Sequence, residues 1–429
     1  MRFDTLEQWL RWQEGLHPNR IELGLDRIRP VSDRLGVLSP SRPVITVGGT
    51  NGKGSTVAML DAIYRANGYR VGRYTSPHLL RYNERVCIDG IDASDRQLCE
   101  AFERVDDARA GVPLTFFEFG TLAALDLFAR ADLDLVILEV GLGGRLDAVN
   151  LVDADVAAVS GVARDHTAWL GEDLDSIASE KAGIFRSCRP ALIGQRAAPA
   201  ALRARAEALG AEVLQLGREY DWGDTAEGWE WQPRGRAAIA LPPPTLRGTF
   251  QFDNAALACT AVDCLVQRLP VSIEGLRRGL QRIRLSGRFQ ILPGSPQWIL
   301  DVAHNPQAAE SLAANLRANA HARAGRLLAV FGALSDKEVG AVVRPLLPLV
   351  HSWYLTQPED SRAMPVDDLA VLLGGCEPMR VSCAEAQVEL AMSQASSAAM
   401  AEDCILVFGS FTIVEAALRR YAMLMPAPV

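Results

Sequence analysis

The chain reads as an α/β protein built on a mostly parallel sheet, followed by a smaller α/β domain. Three observations predict this. Short apolar, β-branched runs alternate with helical stretches from end to end. At 429 residues the chain exceeds what one hydrophobic core normally organises. A stretch containing Ser and Gly, Arg284-Leu-Ser-Gly-Arg288, separates two such alternating series and reads as a hinge.

Taken in order, the first series places strands at 44–47, 70–74, 135–140, 156–160 and 191–193, each a compact apolar run. Helices are expected at 55–67, 118–131 and 176–185. From Tyr220 to Leu246 the pattern breaks at Trp222, Trp229, Trp231 and the triplet Pro242–Pro244, which suits an irregular β excursion. A helix over 254–267 leads to the hinge. The second series puts strands at 298–302, 327–331, 353–355 and 404–408, so the expected domains are 1–286 and 287–429.

Composition narrows the function. With 49% hydrophobic and 22% charged residues the chain has the make-up of a soluble globular protein. Its net charge of −8, with no cluster of Lys and Arg, argues against a nucleic-acid partner. Eight cysteines form no C-x-x-C pair and read as reduced thiols rather than a disulfide frame or zinc site. The first twenty residues lack an apolar signal region, and no apolar run is long enough to cross a bilayer. A cytoplasmic monomer with no membrane partner is the expectation.

Of the 44 Lys+Arg residues only Lys53, Lys181 and Lys337 are lysines. Arginine is planar and always protonated, so it cannot supply a compact point charge or a reactive neutral amine. Retained amines in such a chain mark chemistry better than drift does.

Lys53 lies in Gly49-Thr50-Asn51-Gly52-Lys53-Gly54-Ser55, between the first strand and a helix. Glycines let backbone N–H groups fold around phosphate oxygens, and the helix N-terminus adds positive potential. Lys53 would neutralise the terminal phosphates of a nucleotide, and the Ser55 hydroxyl would ligate Mg²⁺. Gly54 sits where the common spelling joins lysine directly to the hydroxyl residue. Glu139, after four apolar residues and before a glycine-rich turn, is either the acidic metal partner or a strand-end glutamate reaching water. His166 follows another apolar strand and is either a ligand in the crevice at the sheet's carboxyl edge or a hydrogen-bonded structural histidine.

Taken together, the motifs resemble the folylpolyglutamate synthases. The strings are the Gly49–Ser55 loop, Thr75-Ser-Pro-His-Leu79 with Glu84-Arg85-Val86, Leu138-Glu-Val-Gly-Leu-Gly-Gly-Arg-Leu-Asp147 and Asp165-His166-Thr167. Glu180-Lys-Ala-Gly-Ile-Phe185, Ser286-Gly-Arg-Phe289 and Asp301-Val-Ala-His-Asn-Pro306 complete the set. They run nearly the whole chain in order and are most similar to the bacterial bifunctional dihydrofolate synthase/folylpolyglutamate synthases, relatives of the Mur ligases.

The resemblance implies a P-loop, Mur-ligase-like ATP domain, a smaller Rossmann-like domain and an ATP-dependent amide ligase. ATP would phosphorylate a carboxylate of dihydropteroate or a tetrahydrofolate, and the L-glutamate amine would displace phosphate. It further implies Mg²⁺ on Ser55 and Glu139, a second ion on His166, and a carbamate on Lys181 that joins it. Only a primary amine takes up CO₂ in this way. Asn254, Arg288 and Asp301 would contact the base, phosphates and ribose of ATP, with Arg288 acting from the domain seam. His304 would orient glutamate or is a turn histidine before Asn305-Pro306, and Lys337 would touch glutamate or phosphate. For the pterin acid the matching segments are Ile21-Glu22-Leu23-Gly24, Ser76 and His78, Phe117-Glu118-Phe119-Gly120, and Arg145-Leu146-Asp147. Phe117 and Phe119 would offer ring faces to the pterin or belong to the core. The Ile21–Gly24 match favours dihydropteroate as an acceptor alongside folates. Val149 and Phe250 depart from the family pattern, beside the substrate turn and the adenine contact respectively.

Three other readings share part of this pattern. A muramyl-peptide ligase would lack the 75–79 and 145–147 strings. A P-loop kinase would leave the second series unexplained. A nucleotide-gated binding protein would release no phosphate in response to glutamate.

Overall fold

The computed structural model describes residues 2–19, 21–38, 42–225, 228–319, 325–375 and 380–424. They form two compact units. The first comprises Met1–Thr245 with Gln251–Arg284, and the second Leu246–Phe250 with Leu285–Val429. The short excursion of 246–250 into the second unit has no counterpart in the sequence reading.

The first unit is organised by strands β1 (Val44–Gly48), β2 (Val71–Tyr74), β3 (Val86–Ile88), β4 (Ile91–Asp92), β5 (Leu135–Glu139), β6 (Val156–Val159), β7 (Pro190–Ile193) and β8 (Glu212–Gln215). Their order is β4-β3-β2-β5-β1-β6-β7-β8. From β2 across to β8 neighbours run parallel, and β3 and β4 add an antiparallel edge. Every residue of β1, β5 and β6 is buried, which explains their near-continuous apolar spelling: helices cover both faces of a parallel sheet.

The tryptophan-rich stretch forms a small antiparallel sheet of β9 (Asp221–Thr225), β10 (Gly228–Gln232) and β11 (Ile239–Leu241). Trp222 stacks on Phe252 at 5.1 Å and donates to Asp253 at 2.7 Å. The excursion is thereby pinned to the helix Phe250–Cys264.

The second unit has β12 (Gln290–Leu292), β13 (Gln297–Asp301), β14 (Leu327–Phe331), β15 (Ser352–Thr356), β16 (Val381–Glu385) and β17 (Cys404–Phe408), ordered β12-β13-β17-β14-β15-β16. Only the β12–β13 pair is antiparallel. Its own core gathers Phe331, Trp353 and Phe408 with the apolar faces of the flanking helices.

Candidate active site

β1 and β5 are neighbours, and the end of β5 lies beside the penultimate residue of β1, Val47 opposite Glu139. On the other side Gly48 faces Val159 of β6. The glycine-rich loop therefore leaves the sheet at its carboxyl edge, between Glu139 and Ser160. Loops there have two walls against which to hold a ligand.

The loop is rigid for identifiable reasons. Gly49 has φ +137°, and a Cβ there would lie 2.2 Å from the Ser160 hydroxyl. Ser160 Oγ donates to the carbonyl of Asn51 at 2.7 Å, and the Thr50 N–H donates to the carbonyl of Gly161 at 2.6 Å. Thr50 and Ala163 exchange two further bonds at 3.1 Å. Gly52 takes the left-handed conformation as it opens the helix Lys53–Ala66, and a Cβ there would meet Asn254 Oδ1 at 2.4 Å. Asn254 donates to Gln251 at 2.9 Å, and Gln251 in turn reaches the buried Ser55 hydroxyl at 3.4 Å. Gln251 was not singled out from sequence. Its Ser55 partner lies 196 positions away, beyond any local signal.

Two lysines converge on this loop. Lys53 Nζ donates to the carbonyls of Gly49 and Thr50 at 3.2 Å. Lys181, 3% exposed on the last turn of the helix Leu174–Ala182, donates to the same Gly49 carbonyl at 3.0 Å. Burial, then the Lys53 charge, push the Lys181 pKa down to about 7, against the pull of Asp165 and Asp147. A buried lysine in that range is neutral part of the time at physiological pH, the form that can act as a nucleophile.

Glu139 is buried and accepts from the Ser76 N–H at 3.3 Å. Ser76, read from sequence as part of the acid site, thus stands beside the expected metal carboxylate. Asp147 is also buried. It accepts from the N–H groups of Leu142 and Val149, and burial raises its pKa to about 6. Val149 is a fully buried residue whose N–H helps hold Asp147. His166 is part-exposed and left-handed at φ 52°. Such backbone strain in a non-glycine residue gathers at functional sites. Among the described residues no three of His, Cys, Asp and Glu form a ready metal cage. A hydroxyl, Glu139 and nucleotide oxygens nevertheless suit Mg²⁺, which keeps several waters and takes few protein ligands.

Three of the four segments expected to bind the acid, 21–24, 117–120 and 145–147, meet in the fold. Gly24 N–H donates to the carbonyl of Leu146 at 3.2 Å. Arg27 pairs with Glu22 at 2.6 Å and with Glu118 at 3.0 Å, joining the first segment to the second. Arg27 was missed for the same reason as Gln251. Phe117 is half-buried, and its ring would lie 2.5 Å from a Cβ on Gly141, so that glycine makes room for it.

Three neighbours are corrected to scaffold. Phe119 is wholly buried among Trp9, Trp12 and Phe102 and offers no face to a ligand. Glu118 closes a capping box with Thr115, and a Cβ on Gly120 would strike the Tyr82 hydroxyl. The helix begins at Phe116, two residues earlier than expected, and the capping box Thr115-Phe-Phe-Glu118 was the overlooked signal. His78 accepts at Nδ1 from Arg85 at 2.8 Å; burial and that guanidinium lower its pKa to about 4.

The second unit carries its own cluster. Asp301, at the end of β13, accepts from the N–H groups of Phe289 and Ala303, and burial raises its pKa. Arg288 lies over the Phe411 ring at 5.3 Å, and His304 packs on the same ring at 6.2 Å. His304 Nδ1 lies 2.8 Å from the carbonyl of Val302, which orients the imidazole. Phe411 was not foreseen. Lys337 is mostly buried beside Asp336 at 3.5 Å. Phe250 lies against Gly248.

The family model for the Mur ligase middle domain matches residues 47–262, and that for the Mur ligase, glutamate ligase domain matches 287–411. The chain is 43% identical over 409 residues to the dihydrofolate synthase/folylpolyglutamate synthase of Escherichia coli (strain K12), covering 95% of this chain and 94% of that one. Identity to the Haemophilus influenzae enzyme of the same name is 40%, covering 95% and 96%. Among solved structures, E. coli FolC in complex with DHPP and ADP superposes with a TM-score of 0.91 at 42% identity, covering 98% of each chain. A bifunctional folylpolyglutamate synthase/dihydrofolate synthase with Mn, AMPPNP and L-glutamate bound gives 0.88 at 42%, covering 97% and 98%.

Proposed function

The chain belongs to the Mur ligase family and, within it, to the dihydrofolate synthase/folylpolyglutamate synthases, and from that premise we propose how its residues divide the work. The activity is the ATP-dependent addition of L-glutamate to dihydropteroate and to folates. We assign nucleotide binding and the pterin acid to residues 1–286, and glutamate ligation to 287–429.

One observation carries the reading: two lysine amino groups meet the carbonyl of Gly49 in a loop walled by Glu139 and Ser160. The backbone N–H groups of Gly49–Ser55 cradle phosphates, and Lys53 neutralises the phosphoryl group in transit. Phosphoryl transfer needs such positioned charge more than covalent help. Ser55 and Glu139 would hold Mg²⁺, with Ser76 beside them, and His166 would hold a second ion. Bound Mg²⁺ offsets the charge that develops on the phosphate oxygens.

Lys181 is assigned as the carbamylated lysine. Its neutral amine adds to the carbon of CO₂ and one proton leaves to water, giving a carboxylate next to the metal position. The lowered pKa supports this, because only the unprotonated amine reacts. Asn254 contacts the adenine, and Asp301 and Arg288 the ribose and phosphates. His304 orients glutamate, with Lys337 near its carboxylates or phosphate. The segments at 21–24, 117 and 145–147 take the pterin acid, whose carboxylate becomes an acyl phosphate. The glutamate amine then attacks the acyl carbon, and the tetrahedral intermediate expels phosphate. The seven cysteines described are all unpaired, which accords with a reducing cytoplasm; we take the enzyme to act there as a monomer.

The test is radiolabelled glutamate with ATP, offered dihydropteroate and tetrahydrofolate separately. Label should enter both acceptors with one phosphate released per bond. Coupling to neither sinks the proposal.

A further inference from the structure

The turn after β5 lies pressed against the end of the helix that carries Lys181. A Cβ on Gly144 would come within 2.8 Å of the carbonyl oxygen of Glu180, and one on Gly183 within 2.3 Å of the Arg145 Cβ. The Arg145 N–H donates to the carbonyl of Glu180 at 2.9 Å, and its guanidinium returns to the Glu180 carboxylate at 2.8 Å.

One buried side chain fastens the two elements together. Asn150, 7% exposed, donates from its amide to the carbonyls of Arg145 and Gly183, each at 3.0 Å. Its Oδ1 accepts from Arg186 at 2.9 Å. Arg186 also donates to the carbonyls of Asn150, Gly183 and Phe185. Both amide hydrogens of Asn150 and its carbonyl are therefore committed.

We propose that Asn150 is a positioning residue for the acid substrate, clamping the Arg145–Asp147 turn onto the helix end that bears Lys181. The inference rests on the ligase reading, in which that turn takes the pterin acid. The clamp acts on one substrate selectively. The bonds that fix the path of the phosphate loop run to Ser160, Gly161 and Ala163; Lys181 adds one to Gly49 from the clamped helix, and none of them includes Asn150. Loosening Asn150 frees the turn and leaves the nucleotide cradle intact. Aspartate cannot substitute, because the oxygen that replaces Nδ2 would face two carbonyl oxygens across the same 3.0 Å.

The test is steady-state kinetics of the full chain, wild type against Asn150→Ala and Asn150→Asp, with ATP, glutamate and dihydropteroate varied in turn. The KM for dihydropteroate should rise about tenfold or more, as expected for lost buried hydrogen bonds, with the KM for ATP unchanged. Asn150→Asp should be no better than Asn150→Ala. An equal rise in both KM values, or a lowered melting temperature with neither KM moved, would overturn the proposal. If Asn150→Ala does not fold, Arg186→Lys carries the same measurement with a smaller expected rise: it removes the guanidinium that fixes Asn150 Oδ1, along with its bonds to the carbonyls of Asn150, Gly183 and Phe185 and its pairing with Asp153. Wild-type enzyme that joins no glutamate to any acid would remove the ligase reading itself, and this inference with it.

Discussion

Lys53 brings a positive charge to the carbonyls of Gly49 and Thr50, where the glycine-rich loop can receive anionic phosphates. Lys53→Ala should therefore lower the turnover rate by about a thousandfold, as loss of a preorganised charge does. Phosphate release under saturating substrates measures it, and near-normal rates would refute the assignment. Lys181→Arg should be inactive although it keeps the charge, and intact-mass analysis should find CO₂ on the wild type alone. Carbamylation should also have a pH sign. Lys181 sheds its proton as pH rises through about 7, so enzyme stripped of CO₂ should regain activity with bicarbonate faster above that pH than below it. A rate independent of pH there would count against the amine. These residues were legible because lysine is so scarce here and because each lies in a short, ordered string. Arg27 and Gln251 were not, since the contacts that tie them to Glu118 and Ser55 span 91 and 196 positions and no window of sequence contains both ends.

At the scale of elements, the loop owes its shape to glycine where no side chain fits. Gly52→Ala adds a Cβ 2.4 Å from Asn254 Oδ1 in a left-handed conformation. The strain of about 1–3 kcal/mol should weaken ATP binding roughly tenfold, read by calorimetric titration. Undiminished affinity would mean that the loop is softer than its bonds imply. The turn bearing Ser76 and His78 makes a prediction about stability. His78 is protonated in the unfolded chain but not in the native one between about 4 and the ordinary 6.5. Stability should rise with pH across that window and be lost as pH falls toward 4. His78→Asn should flatten that slope in denaturant titrations, relative to wild type. The buried parallel strands were readable from their unbroken apolar runs. β3, β4, β12 and β16 were not, because strands of two to five residues at or next to a sheet edge carry little pattern. Phe119 misled for a related reason: within a motif, a core ring and a ligand-facing ring are spelled alike, and only packing separates them.

Among the described residues one hydrophobic core is built on the eight-stranded sheet and another on the six-stranded sheet. The sequence announced both, through two alternating series with a glycine between them. It could not announce that 246–250 packs with the later unit, because that depends on contacts such as the one between Gly248 and Asn315. Separate cores have separate stabilities, so scanning calorimetry without ligand should resolve two transitions. The phosphate loop belongs to the first unit, so a non-hydrolysable ATP analogue with Mg²⁺ should raise that unit's transition. At a hundred times its dissociation constant the gain is about 2.7 kcal/mol, from mass action alone. Hydrogen exchange identifies which transition moved: peptides spanning 44–66 should gain protection with the nucleotide. Lys53→Ala should cancel both the shift and the protection while leaving the ligand-free scan as it was, because its ammonium is bonded only to carbonyls of its own loop. A shift that survives Lys53→Ala would place nucleotide recognition elsewhere in the chain.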